Sequence, residues 1–200
     1  MDITLNWHGP FSVINGETDP RLFSADPCIV RQCGVYLWTI PRGAEHLVAY
    51  VGMTHGKTVN FCKRLKQELW IDWPEYFHIP DVPKLKQDIK EWIYKPLSWG
   101  KIPDSEAWEL GESQFRQAWQ QYLRLLRVFV APMADQPQQI RATETALIRA
   151  VWDHENATRP ETEEYFLQNV HEPRRLTCTY RVRSVAPMAL RGITPEIFSD

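Results

Sequence analysis

Two tyrosines, one arginine and one glutamate carry the side chains best suited to chemistry in this chain. Tyr36 closes the tripeptide Gly34-Val35-Tyr36, and Tyr50 opens the mirrored tripeptide Tyr50-Val51-Gly52, fourteen residues further on. A phenol can orient a water or carry a proton, a guanidinium can offset an oxyanion, and a carboxylate can hold a hard cation. Arg64 lies beside the apolar series Phe61, Cys62, Leu65 and Leu69, so it points along a packed surface rather than into bulk water. Glu144 stands where the apolar series Ile140, Leu147, Ile148, Val151 calls for another core residue. A carboxylate on such a stripe is costly unless it is paired or holds a metal. An ion pair with an arginine such as Arg64, or a place at the rim of the stripe, would also account for it. His55 and Lys57, within residues 53–58, suit a proton acceptor and a phosphate contact, and equally suit an exposed polar loop. Asn156 lies past the expected end of the Glu144 helix, where it either terminates the helix or fixes the turn beside a site.

The elements that must position these groups can be read from turn chemistry and periodicity. Residues 1–28 are rich in turn formers (Gly9-Pro10, Asn15-Gly16, Asp19-Pro20, Asp26-Pro27) and read as a wrap around the core. A β-hairpin is expected over 29–52, with residues 41–45 as its turn. Strand side chains alternate faces, so Gly34 shares a face with Tyr36, and Tyr50 with Gly52. Glycine inside a strand marks close approach by a ligand or another backbone. A helix is expected over 59–70. Residues 71–121 form an insertion, and residues 70–121 hold six of the nine tryptophans. Helices are expected near 83–95 and 112–121. A buried strand follows in the second half of 122–131, then a helix over 138–154, then a tail strand over 175–183. The pattern predicts a single α/β (α+β) domain over 1–200. Its core would cover 29–70 and 122–160, a small central mixed or antiparallel sheet flanked by helices, with a tail over 161–200.

Taken in order, Gly34-Val35-Tyr36, Tyr50-Val51-Gly52, Arg64, Glu144 and Asn156 resemble the GIY-YIG nuclease superfamily. The resemblance covers about 29–70 and 122–160, leaving the insertion, the opening segment and the tail outside. The stretch from Gly52 to Arg64 is longer than in compact members, and Lys63 is the alternative to Arg64. The resemblance implies a phosphodiesterase with one divalent ion per site, Mg²⁺ or Mn²⁺, held largely by Glu144. It implies Tyr36 as the base that activates water, with Arg64 and the metal lowering the cost of its ionisation. Tyr50 would orient the water or a phosphate oxygen, and Gly34 and Gly52 would let the nucleic acid approach closely. A hard cation takes carboxylate oxygen, water and phosphate, so one protein carboxylate can suffice.

Substrate would be gripped outside this core. In the tail, Arg175, Arg181 and Arg183 alternate with apolar residues and suit a phosphate track, or a solvated edge strand. In the insertion, Lys84, Lys86, Lys90 and Lys95 interleave with Trp92, Tyr94 and Trp99, either as a nucleic-acid grip or as the insertion's own core with solvated lysines. A net charge of −2 argues against coating a polyanion through bulk charge, though not against a local basic groove. Apolar content of 44% without a run near the roughly twenty residues of a membrane span points to a soluble, cytoplasmic chain. The four cysteines lack metal-ligand spacing. Compactness favours a stand-alone, restriction-type DNA endonuclease, and a homodimer would let two sites cut both strands. The alternatives are a non-catalytic nucleic-acid-binding module of the same fold, or a nuclease acting on RNA or on branched or damaged DNA.

Overall fold

A computed structural model describes residues 2–14, 17–18, 29, 31–56, 59–68, 74–87, 89–98, 101–158 and 180–199. The architecture is mixed α/β, as the sequence pattern predicts, but its sheet is larger than expected. The hairpin forms from β4 (Cys33–Arg42) and β5 (Glu45–Thr54), turning at Gly43 and Ala44. The opening segment is more than a wrap. It supplies β1 (Asp2–Asn6), β2 (His8–Ile14) and the short β3 (Glu17–Thr18). The alternation of Ile3, Leu5 and Trp7, all buried, drives β1 and its continuation into strand geometry despite the turn formers that follow.

Beyond the hairpin come α1 (Phe61–Glu68), a 3₁₀ turn at Pro74–Tyr76, β6 (Ile79–Pro80), α2 (Val82–Leu85) and β7 (Trp92–Tyr94). The helix expected over 83–95 is thus a single turn. Asp81 caps it by accepting from the Lys84 amide at 3.0 Å. Trp92, Ile93 and Tyr94 then pair with β6, as aromatic and β-branched residues favour. The helix expected over 112–121 is longer, α3 (Ser105–Leu125), started by Asp104, whose carboxylate accepts from the Ala107 amide at 3.1 Å. β8 (Arg127–Met133) and α4 (Pro137–Thr158) follow. The tail gives β9 (Tyr180–Val185), β10 (Ala189–Arg191) and β11 (Glu196–Ser199), while 175–179 lie outside the described residues.

The main sheet has the order β10-β5-β4-β8-β2-β3, and a second sheet runs β1-β9-β11. Neighbours in the main sheet are antiparallel except β10, which lies parallel to β5 and covers only Glu45 to Leu47. The rest of that edge, through Tyr50 and Thr54, has no strand beside it among the described residues.

One face of the main sheet packs Tyr36, Trp38 and Tyr50 against Phe61 and Leu65 of α1 and against Trp119, Tyr122 and Leu123 of α3. The other face packs Val35, Leu37, Val51 and Phe129 against Ile140, Leu147 and Val151 of α4 and against the strands of the second sheet. Of the aromatics read either as a nucleic-acid grip or as the insertion's own core, Tyr94 is buried in the cluster with α1 and α3 and Trp92 packs against it partly buried, alongside the buried Trp108 and Trp119. Trp70, Trp73 and Trp99 lie outside the described residues. Burying a side chain such as Phe61 or Leu65 contributes about 2–3 kcal/mol.

Candidate active site

The phenols are placed by the two glycines. In the hairpin Tyr36 sits opposite Gly52, and a Cβ added at Gly52 would overlap the Tyr36 ring and hydroxyl. The bare Gly52 backbone is therefore what lets the phenol lie across β5. Gly34 has φ +150°, and a Cβ there would run into the Ala131 carbonyl oxygen of β8. The expectation that both glycines leave open backbone for nucleic acid is corrected: the protein's own atoms fill both spaces, and both residues are buried.

The Tyr36 and Tyr50 hydroxyls converge on a carboxylate that the motif reading passed over. Tyr36 Oη donates to Glu68 Oε2 in a contact tighter than an ordinary hydrogen bond, and Tyr50 Oη donates to Oε1 at 3.3 Å. Arg64 Nε lies 2.7 Å from the same Oε1, an ion pair whose N–H is not aimed as a directed hydrogen bond. Asn60 starts α1, its side chain accepting from the Lys63 amide at 3.0 Å, and this sets the helix so that Phe61, Leu65 and Glu68 all face inward. Lys63 itself is exposed.

Burial decides the protonation of this cluster. Tyr36 is 0% exposed, Tyr50 5% and Glu68 8%. Burial first, and the Glu68 charge second, hold both phenols protonated far above their usual range. Tyr36 as a free phenolate base is corrected accordingly: its proton is committed to Glu68. Burial also raises the Glu68 carboxyl, against the pull of Arg64 and the two phenols. For Arg64, burial opposes the charge but Glu68 outweighs it, so the guanidinium stays charged.

Glu144 arrives from the other layer, on α4. It is half-buried and forms no hydrogen bond or ion pair among the described residues. It nevertheless feels the cluster: burial and then the Glu68 charge push its carboxyl up to about 7, while Arg64 and Arg141 pull the other way. The two layers thus meet around the uncovered half of the β5 edge. Arg141, one turn before Glu144 and absent from the motif reading, approaches His55 Nε2 at 3.3 Å. The loop carrying His55 is also tied to the start of α4, where Asp135 Oδ1 accepts from the Gly56 amide at 3.0 Å.

Other expected contacts fall elsewhere. Asn156 lies inside α4, not past its end, and twelve residues of helix place it about 18 Å from Glu144 along the axis. The buried face continues through Val151 to Glu155, so the helix does not stop at His154. On β9, the Arg181 guanidinium donates to both oxygens of Glu196 at 2.8 Å, and Arg183 lies 3.6 Å from Glu196. Their charge is largely answered within the second sheet, which corrects the reading of these two as an open phosphate track. Lys57 and Arg175 lie outside the described residues.

No three or more His, Cys, Asp or Glu side chains cluster as a metal cage among the described residues. The donor chemistry still fits a hard cation that draws its other ligands from water and substrate. A half-buried, unpartnered carboxylate next to a second carboxylate is an anion whose charge a divalent ion would relieve.

That same carboxylate gives a pH signature. Its folded pKa lies above the ordinary 4.5, so the folded state binds more protons than the unfolded chain between these values. Stability from this group is complete below pH 4.5 and is lost as pH rises through about 7. After discount for partial exposure the loss is about 1–2 kcal/mol. Thermal unfolding of Glu144→Gln should show a flatter pH dependence over this window, and an unchanged slope would count against the placement.

Comparison with known family models, with characterised proteins and with solved structures returned no match in any of the three.

Proposed function

We propose that the chain is a divalent-metal-dependent endonuclease that hydrolyses DNA phosphodiester bonds. The single observation that carries this reading is Glu144, a carboxylate with no hydrogen bond or ion pair among the described residues, raised to about 7 by burial and by the Glu68 charge. Glu144 would hold one Mg²⁺ or Mn²⁺, which when bound polarises the scissile phosphate and offsets charge on the leaving oxygen. Arg64 is anchored through Nε to Glu68, and its side chain is 42% exposed, so its guanidinium could also meet a phosphate oxygen. Arg141 supplies a second guanidinium on the Glu144 side, and His55 beside it is a proton carrier at the rim. The phenols and Glu68 form a water-poor floor in which charge interactions are stronger than in bulk solvent. A restriction-type role, a homodimer and a cytoplasmic location are consistent with this reading.

A panel of duplex DNA, single strands, branched DNA and RNA, each incubated with and without Mg²⁺, tests it. Cleavage of duplex DNA that requires the cation is expected. No cleavage of any substrate, with nucleic-acid binding retained, would favour the non-catalytic module of the same fold. Preference for RNA or branched DNA would redirect the substrate class.

A further inference from the structure

The end of the main sheet beside His55 opens into a cavity that the cleavage chemistry leaves unused. Its volume is about 520 Å³, within the usual range for pockets that hold a small molecule. The elements that frame it also position the candidate site. Gln32 and Cys33 lead into β4, Pro132 and Met133 close β8, and Asp135 precedes α4. Cys33 pairs with Met133 across β4 and β8, so the floor is sheet rather than loop. Gly56 stands between cavity and site. Its neighbour His55 approaches Arg141, while its own amide donates to Asp135 Oδ1 at 3.0 Å. Gln32 is tied to α1 in the same way, its carbonyl accepting from the Phe61 amide at 3.3 Å.

The lining offers three kinds of contact. Pro132 and Met133 are half-buried, and they present a ring face and a polarisable thioether of the kind that packs against aromatic rings. Asp135 offers carboxylate oxygens. Burial first, and then the Asp135 charge and hydrogen bond, keep the Cys33 thiol protonated, so this carboxylate already holds two neutral donors, the thiol and the Gly56 amide. A third neutral N–H fits the same pattern. Arg31 is exposed on the cavity wall and brings a guanidinium, whose fork matches phosphate oxygens.

A flat ring with an amino edge, joined to a phosphate, is the outline of a nucleotide. Resting on the phosphodiesterase reading, we propose that this cavity holds one nucleotide of the substrate strand, with its base against Pro132 and Met133, its amino edge on Asp135 and its phosphate on Arg31. The base is guanine, cytosine or adenine, because an ionised carboxylate only accepts and these three carry an exocyclic amino group. Thymine presents carbonyl oxygens where the others present that group, and is disfavoured. Seating a base there takes it out of the helix stack, a step that costs least at a mismatch or in a single strand. The cavity therefore directs the enzyme to nucleic acid in which a base beside the cut is already free or easily freed.

Methionine labelled with ¹³C at its methyl group gives four signals, and Met133→Leu identifies the one from the cavity. Titration with dGMP should shift that signal through the ring current of the base. Deoxyribose phosphate, which lacks the base, should bind at least about tenfold more weakly. Asp135→Asn keeps an oxygen for the Gly56 amide but sets an amino group where the second carboxylate oxygen stood. It should weaken dGMP by about tenfold and leave TMP within about threefold of wild type. If Asp135→Asn does not fold, Arg31→Gln on the exposed wall carries the test, and should weaken dGMP by about five- to tenfold. A Met133 signal unmoved throughout the titration, equal affinity for the sugar phosphate, or an Arg31→Gln protein that binds dGMP as wild type does would each overturn the assignment. So would tighter binding of free leucine, whose zwitterion matches Arg31 and Asp135 without a ring. Cleavage by a protein whose Met133 signal ignores dGMP removes the cavity's role alone. A protein that takes dGMP at Met133 yet cuts no nucleic acid loses the phosphodiesterase reading and keeps the site.

Discussion

Glu144→Ala should lower Mg²⁺-dependent cleavage by at least about 10³-fold while leaving the protein as stable as wild type at pH 8. On the proposed reading, the rate effect follows from losing the carboxylate that would hold the cation against the substrate, an arrangement worth several kcal/mol in the transition state. The stability effect runs the opposite way from an ordinary core substitution. Above pH 7 this side chain is a half-buried anion with no hydrogen-bond or ion-pair partner among the described residues and feels the Glu68 charge, so removing it relieves repulsion. A second measurement separates metal loss from misfolding. Mg²⁺ should raise the melting temperature of the wild type more at pH 8 than at pH 5.5, where Glu144 is protonated, and should leave Glu144→Ala unmoved. Undiminished cleavage by Glu144→Ala would defeat the assignment of the cation to this residue.

Gly52→Ala should be the most damaging single methyl group in the hairpin, costing about 2–4 kcal/mol. The added carbon would occupy the space of the Tyr36 ring, which is fully buried between β5 and α1 and has nowhere to retreat. If the ring does shift, its hydroxyl leaves Glu68, and that carboxylate loses a donor it needs while buried. Activity and stability should therefore fall together. Chemical denaturation of Gly52→Ala, Tyr36→Leu and the double variant gives the coupling directly. The double variant should be more stable than the sum of the two single losses predicts. Strict additivity would mean that the ring does not lie across Gly52.

Much of this arrangement could be read from residues in order. Gly34, Tyr36, Tyr50 and Gly52 stood out because a mirrored pair of strands carries them, and Glu144 because it broke an apolar stripe. Glu68 escaped because its neighbours, Lys63, Arg64, Lys66 and Gln67, make the segment look like a solvated face. Its signal was present: Phe61, Leu65 and Glu68 keep helical spacing, and Arg64 lies four residues before it. Arg141 was hidden for another reason, since nothing local to α4 announces that His55 will fold beside it. The short helix α2 and strand β7 were mistaken for one helix because Lys-rich spacing around Pro83 mimics a helical surface. The Trp92-Ile93-Tyr94 triplet, two aromatics and a β-branched residue, forms a strand by pairing with β6 instead. In the tail, alternating arginines looked free because their partner, Glu196, arrives on a strand that sequence spacing does not tie to β9.

The second sheet sets a practical boundary on experiments with this chain. β1 lies parallel to β9, from Asp2 beside Arg181 to Asn6 beside Val185, and Ile3, Leu5, Val182 and Ile197 pack in the same cluster as Ile140, Leu147 and Val151 of α4. The first and last stretches of polypeptide are in effect the mattress on which the Glu144 helix rests. Tags or deletions that disturb either stretch would tilt that helix and silence the site from a distance, imitating the loss of a substrate contact that was never there.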